Sequence, residues 1–180
     1  MSLISEQSVL VVVDVQGKLA QIMANSERMI SQLEVLIKGA KLLNVPIVWL
    51  EQIPHKLGNT VESIALKLAP ETPISKTSFS GFGEDKFRQR LKREGRSQII
   101  LAGIETHVCV YQTAQDLLEH KYEVTVVADA VSSRSEDNKN IGLQMMMQRG
   151  AQLSCVESVL FELQKKAEGD AFRSLIKLMK

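Results

Sequence analysis

The chain alternates between short runs that are apolar at every position and longer stretches that are apolar at every third or fourth. Residues 8–13, Ser-Val-Leu-Val-Val-Val, are rich in β-branched side chains and read as a strand buried on both faces. Residues 26–43 follow with Met29, Leu33, Leu36, Ala40 and Leu43 on one helical stripe, which Asn44 and Pro46 end. The same patterns predict strands at 46–50, 73–76, 98–102, 123–128 and 151–155. They predict helices near 61–68 and at 84–93, 107–120, 135–149, 156–165 and 171–179. Ser135 and Thr106 are the expected N-caps of two of these, and Gly95 and Gly150 the expected stops. Residues 51–83 are less regular and hold all but one of the four prolines.

Alternating strands and helices require crossover connections, so the sheet is mostly parallel, with about six strands. No repeat or composition break divides the chain. The expectation is a single doubly wound α/β domain over residues 1–180, with helices on both faces. In such sheets ligands sit at the carboxyl ends of the strands, where strand order reverses.

Composition narrows the function. A length of 180 residues buries a sizeable core without metal or disulfide staples. Lys and Arg total 22 against 21 Asp and Glu, a net charge of +1, which argues against a nucleic-acid partner or a membrane clamp. The N-terminus lacks a basic segment and a long apolar run, so a cytoplasmic location is expected. The glycines form neither a Gly-x-Gly-x-x-Gly turn nor a P-loop, and no cofactor is expected. The two cysteines, Cys109 and Cys155, are too few for a disulfide scaffold or a four-cysteine zinc site. They leave open a single working thiol.

Three polar groups fall just past strand ends. Asp14 ends the first apolar run, as a solvated loop residue or a working carboxylate. Cys109 follows the strand at 98–102, in Gly-Ile-Glu-Thr-His-Val-Cys-Val. With Thr106 as cap it lies in the first turn of a helix, where free amides and the helix dipole favour a thiolate and a nearby oxyanion. A buried structural cysteine is the alternative. A thiol nucleophile needs a base, and none of the three histidines suits. His107 is two residues from Cys109 and faces away, His120 lies ~16 Å along the same helix, and His55 is in a loop. A carboxylate base such as Asp14 is the alternative, and Lys76, which closes the strand at 73–76 and taken alone reads as solvent-facing, could then hold it in place.

Asp14 in Val-Val-Asp-Val-Gln, Lys76 in Ile-Ser-Lys-Thr-Ser-Phe and Cys109 in Gly-Ile-Glu-Thr-His-Val-Cys-Val resemble the motifs of the isochorismatase-like cysteine hydrolases. The resemblance runs nearly end to end, including Val127 to Ser133 and Glu157 to Phe161, and is nearest to isochorismatase-domain proteins of undefined substrate. It implies a parallel sheet of order 3-2-1-4-5-6, with the strands before Asp14 and Cys109 at the switch point. It implies a triad of Cys109 as nucleophile, Asp14 as general base and Lys76 as stabilising cation. It also implies a cis peptide between Ile104 and Glu105, and an oxyanion held by the backbone amides of Glu105 and Cys109. Relatives of this fold commonly associate, so a homo-oligomer is expected.

Two departures shape the expected chemistry. Nicotinamidases of this family carry an Asp-x-His metal pair after the second strand, whereas residues 51–56 here are Glu-Gln-Ile-Pro-His-Lys, and no metal is expected. Phenazine-type isochorismatases can lack the cysteine, which this chain keeps. Hydrolysis of a small amide or related C–N bond through a thioester is therefore favoured over vinyl-ether hydrolysis. Gln16, Trp49, Phe79 and Phe82 are candidate pocket walls, although a strand Trp is as readily core. Glu105 and His107 line the mouth or cap the helix. Cys155 is read as structural, and Met145 to Met147 as packing. The competing functions are a non-catalytic binding or scaffold protein of the same fold and, more weakly, a redox-sensing thiol.

Overall fold

Ser8–Val13 (β1) is buried at every residue, and its side chains divide by parity between the two faces of the sheet. Leu10 and Val12 enter one core layer, and Val9, Val11 and Val13 the other. The structure, a computed structural model, describes residues 2–179. After β1 come α1 (Gly17–Gln21), α2 (Ser26–Leu42), β2 (Ile47–Gln52), α3 (Pro54–Leu57), α4 (Glu62–Leu68) and β3 (Ile74–Lys76). Next are α5 (Asp85–Glu94), β4 (Gln98–Ile104), a π-turn (Thr106–Val110), α6 (Tyr111–Glu119), β5 (Glu123–Ser132), α7 (Glu136–Gln148), β6 (Gln152–Ser154), α8 (Val156–Gln164) and α9 (Gly169–Leu178). All five strand pairs are parallel, in the order β3-β2-β1-β4-β5-β6. The order reverses between β1 and β4, so Asp14 and the turn holding Cys109 meet at the switch point.

Each face of the sheet needs helices to cover it, and the apolar stripes supply them. The α2 stripe of Met29, Leu33, Leu36, Ile37 and Ala40 packs with α4, α8 and α9 on one side. Phe87 and Leu91 of α5, Ala114 and Leu117 of α6, and Met146 of α7 cover the other, where Cys109 also lies. Among the described residues no helix is long and apolar enough to cross a membrane.

The differences from the sequence expectation are local. The short helices α1 and α3 fall where loops were expected. β5 runs on to Ser132 because a register shift at Leu101/Gly103 lets its second half pair with the end of β4. β6 ends at Ser154, and Cys155 stands at the N-cap of α8, where Asp129 Oδ1 accepts from the Val156 amide at 2.9 Å. Ser135 caps α7 by accepting from the Asn138 amide, and Gly95, at φ 63°, closes α5.

Candidate active site

Gly103 brings the two central strands together. It sits beside Val13 in the β1–β4 register with φ 118°, and a Cβ built on it would lie 2.1 Å from the Val13 carbonyl oxygen. The backbones touch one residue before Asp14 and two before Glu105. Asp14 adopts the left-handed conformation, φ 51°, which Asp tolerates better than most residues. Its amide donates to Leu50 O and its carbonyl accepts from the Gln16 amide, so the chain turns sharply at the strand end. Lys76, the last residue of β3, lies beside Gln52 in the β2–β3 register.

The structure brings Asp14, Lys76 and Cys109 together. Lys76 Nζ donates to Asp14 Oδ2 at 2.7 Å, and both side chains are almost wholly excluded from solvent. Asp14 Oδ1 is buried without a hydrogen-bond partner. Burial raises the Asp14 pKa against the opposing pull of Lys76, and the Cys109 thiol is close enough to add a smaller lowering effect. A buried ion pair of this kind costs desolvation that its attraction only partly returns, so it is weak as a stability device.

Cys109 departs from expectation in two respects. The helix does not start at His107 with Thr106 as cap. It opens one residue earlier on a π-turn, in which the Val108 and Val110 amides both donate to Glu105 O, at 3.1 and 3.2 Å. Thr106 Oγ1 is buried and makes no hydrogen bond. Nor is the thiol acidified as a first-turn position would suggest. Burial first, then the Asp14 charge, push its pKa from 9.0 up to about 12, against a lowering by Lys76. The local dipole argument loses to desolvation. At rest the thiol keeps its proton, and one oxygen of the neighbouring Asp14 has no hydrogen-bond partner.

The remaining candidates separate into frame, core and rim. Gln16 is fully buried and both ends of its amide face protein, donating to Gln52 O and Gly58 O and accepting from the Gln52 amide. It ties β1 to the loop after β2 rather than presenting a free wall. Trp49 packs in the α2 layer, on the face opposite Cys109, with its indole N–H donating to Thr60 Oγ1. Phe82 stacks on His120, with ring centroids 4.1 Å apart, and packs edge-on against Tyr122 and Phe87. Only Phe79 of this set is on the open rim, 55% exposed, with its carbonyl accepting from Lys76. The Ile104–Glu105 peptide is cis. Glu105 Oε2 accepts from the amide and Nε of Arg134, and His107 Nδ1 pairs with Ser133 Oγ. His55 is exposed on α3, and among the described residues no three His, Cys, Asp or Glu side chains converge as a metal-binding group.

Sequence reasoning missed Gln52, Glu51 and Arg134. Gln52 Oε1 accepts from Lys76 Nζ at 2.6 Å. Glu51 is buried, accepts from the amide and hydroxyl of Thr60, and adds to the upward shift at Asp14. Arg134 follows the extended end of β5. The available signal for the first two was their place at a strand's carboxyl end, the same signal that selected Asp14 and Lys76.

Comparison with known proteins bears on the family and the fold. The family model described as isochorismatase domain matches residues 8–158. The chain is 39% identical over 182 residues to a secreted isochorismatase effector of Phytophthora sojae, covering 99% of this chain and 87% of that protein. A solved structure titled MAR1 ribonuclease, from Caenorhabditis elegans, superposes with a TM-score of 0.93 at 37% identity, covering 99% of this chain and 92% of that one. An Escherichia coli protein, described as an octameric hydrolase of unknown specificity, superposes at 0.93 with 23% identity, covering 99% and 90%. With the family match over most of its length and the sheet order shared with solved relatives, the chain belongs to the isochorismatase family of hydrolases.

Proposed function

We propose that the protein is a metal-independent cysteine hydrolase that cleaves a small amide or related C–N bond through a thioester on Cys109. The observation that carries this is the division of labour on Asp14: Oδ2 is held by Lys76 and Oδ1 is buried and unpartnered, in a carboxylate that lies close enough to the Cys109 thiol to shift its proton affinity. Asp14 Oδ1 takes the Cys109 proton as Sγ attacks the carbonyl carbon. The carbonyl π pair moves onto oxygen, where the amides of Cys109 and Glu105 receive it. Collapse expels the amine, which takes the proton from Asp14. Asp14 then removes a proton from water as it attacks the thioester, and Cys109 leaves as thiolate and is reprotonated. The raised proton affinity of Asp14 favours this first transfer, and the upward shift of the thiol to about 12 opposes it.

Metal independence rests on the side chains at the carboxyl end of β2. Gln52 there is committed to Lys76, and the one histidine nearby, His55, points to solvent from α3. The name of the worm relative raises RNA as a substrate. A polyanion would meet Asp14 and Glu105 beside the thiol, with Lys76 spent on Asp14 and Arg134 on Glu105. A small neutral substrate suits that charge balance better. Both cysteines are free thiols, consistent with a reducing, cytoplasmic setting. We propose in addition that the chain is a homo-oligomer: Ile22, Leu57 and Phe79, exposed by 60%, 38% and 55%, follow three successive strands on the rim around the site.

The test is amine or ammonia release from a panel of small amides. Cys109→Ala is expected to reduce activity by ~10³-fold or more, and acid quenching to trap an acyl adduct on Cys109 by mass. Activity that survives Cys109→Ala removes the nucleophile.

A further inference from the structure

Lys76 has more acceptors than protons. An ammonium offers three N–H donors, yet four oxygens surround Nζ. They are Gln52 Oε1 at 2.6 Å, Asp14 Oδ2 at 2.7 Å, Phe79 O at 3.0 Å and Ser78 O at 3.2 Å. The two side-chain oxygens are the near pair. Which way the ammonium leans therefore depends on Gln52 as much as on Asp14.

Gln52 is itself held at each polar point. Its side-chain Nε2 donates to Thr77 O at 2.9 Å. Its amide donates to Gln16 Oε1 at 2.6 Å, and its carbonyl accepts from Gln16 Nε2 at 3.1 Å. The β2–β3 register sets it beside Lys76, with the Ile53 amide donating to Lys76 O just beyond. Only Oε1 is left, and it faces Nζ. An amide oxygen is a strong acceptor without a charge. A carboxylate there would divide the lysine's charge between two anions, and a hydrocarbon would let the ammonium turn toward the two loop carbonyls.

We infer that Gln52 is a positioning residue for this site: its amide oxygen aims the Lys76 ammonium at one oxygen of Asp14 and leaves the other free to take the Cys109 proton. The inference rests on the triad reading proposed for the function. It gives the buried Gln16–Gln52 pair a catalytic purpose beyond joining β1 to β2.

The experiment uses the reactivity of Cys109, so no substrate is needed. In a Cys155→Ser background the rate of alkylation by iodoacetamide is followed by intact mass, from mildly acidic to alkaline pH. Gln52→Met and the isosteric Gln52→Glu are compared with the parent, with circular dichroism confirming the fold of each. Both are expected to slow alkylation at a fixed pH by about tenfold or more, the scale of a hydrogen bond to a charged group, and to move the profile to higher pH. Gln52→Asn should fall between them and the parent. Slowing distinguishes this role from loosened packing, which would expose the thiol and speed the reaction. A parallel Asp14→Asn arm should move the profile the other way, because the carboxylate no longer opposes the thiolate. If Asp14→Asn responds while folded Gln52 variants react at the parent rate or faster, the role of Gln52 is overturned and the triad stands. If Asp14→Asn also changes nothing, the triad falls and takes this inference with it.

Discussion

Single residues set the chemistry, and their titration gives it a pH signature. Asp14 is raised above its ordinary 3.8, chiefly by burial, so the acid limb of activity should lie above that value. Cys109 is raised from 9.0 to about 12. The native state therefore keeps a proton that the unfolded chain gives up. Its contribution to stability is fully present below 9.0 and is lost as pH rises through about 12, at up to ~1.4 kcal/mol per pH unit. Urea unfolding across alkaline pH should show the wild type losing stability faster than Cys109→Ala, and parallel curves would contradict the shift. Asp14, Lys76 and Cys109 were legible because each stands at, or in the turn just after, a strand's carboxyl end. The thiol's proton affinity was not legible. Its place near a helix start is local, whereas the burial that dominates it comes from packing of the turn against α7, β4 and the core layer on that face of the sheet.

At the scale of elements, the site depends on how closely β1 and β4 approach. Gly103→Ala would put a methyl group 2.1 Å from Val13 O and 2.6 Å from Val13 N, at a φ of 118°. Both neighbours are backbone in the central strand pair and cannot turn aside. A loss of at least ~3 kcal/mol in urea unfolding is expected. Activity or Cys109 alkylation should change as well, because the same contact sets the spacing of Asp14 and the π-turn. Unchanged stability would show that the strands can part without cost. The strands and long helices followed from periodicity, since a buried parallel strand must be apolar on both faces. The π-turn did not, because Thr106 looks like a good cap and only the packing of the turn shows its hydroxyl without a partner.

For the whole molecule, Ile22, Leu57 and Phe79 leave exposed apolar side chains in the segments that follow β1, β2 and β3. Light scattering coupled to size exclusion should give a mass that is a multiple of 20.1 kDa. Phe79→Glu or Ile22→Glu should shift it toward the monomer. A wild-type monomer at all concentrations would rule out the oligomer and leave the rim open to solvent.

Amino-acid order was sufficient for the doubly wound architecture and for three of the groups at its switch point. Strand burial, helix stripes and strand-end polar residues are all written in local pattern. It could not assign Gln52, decide Trp49 between core and pocket, place Phe82 in packing, or protonate the thiol. Those outcomes depend on which side chains from distant segments meet in a space closed to water, where distances of a few ångströms and the cost of desolvation outweigh any local preference.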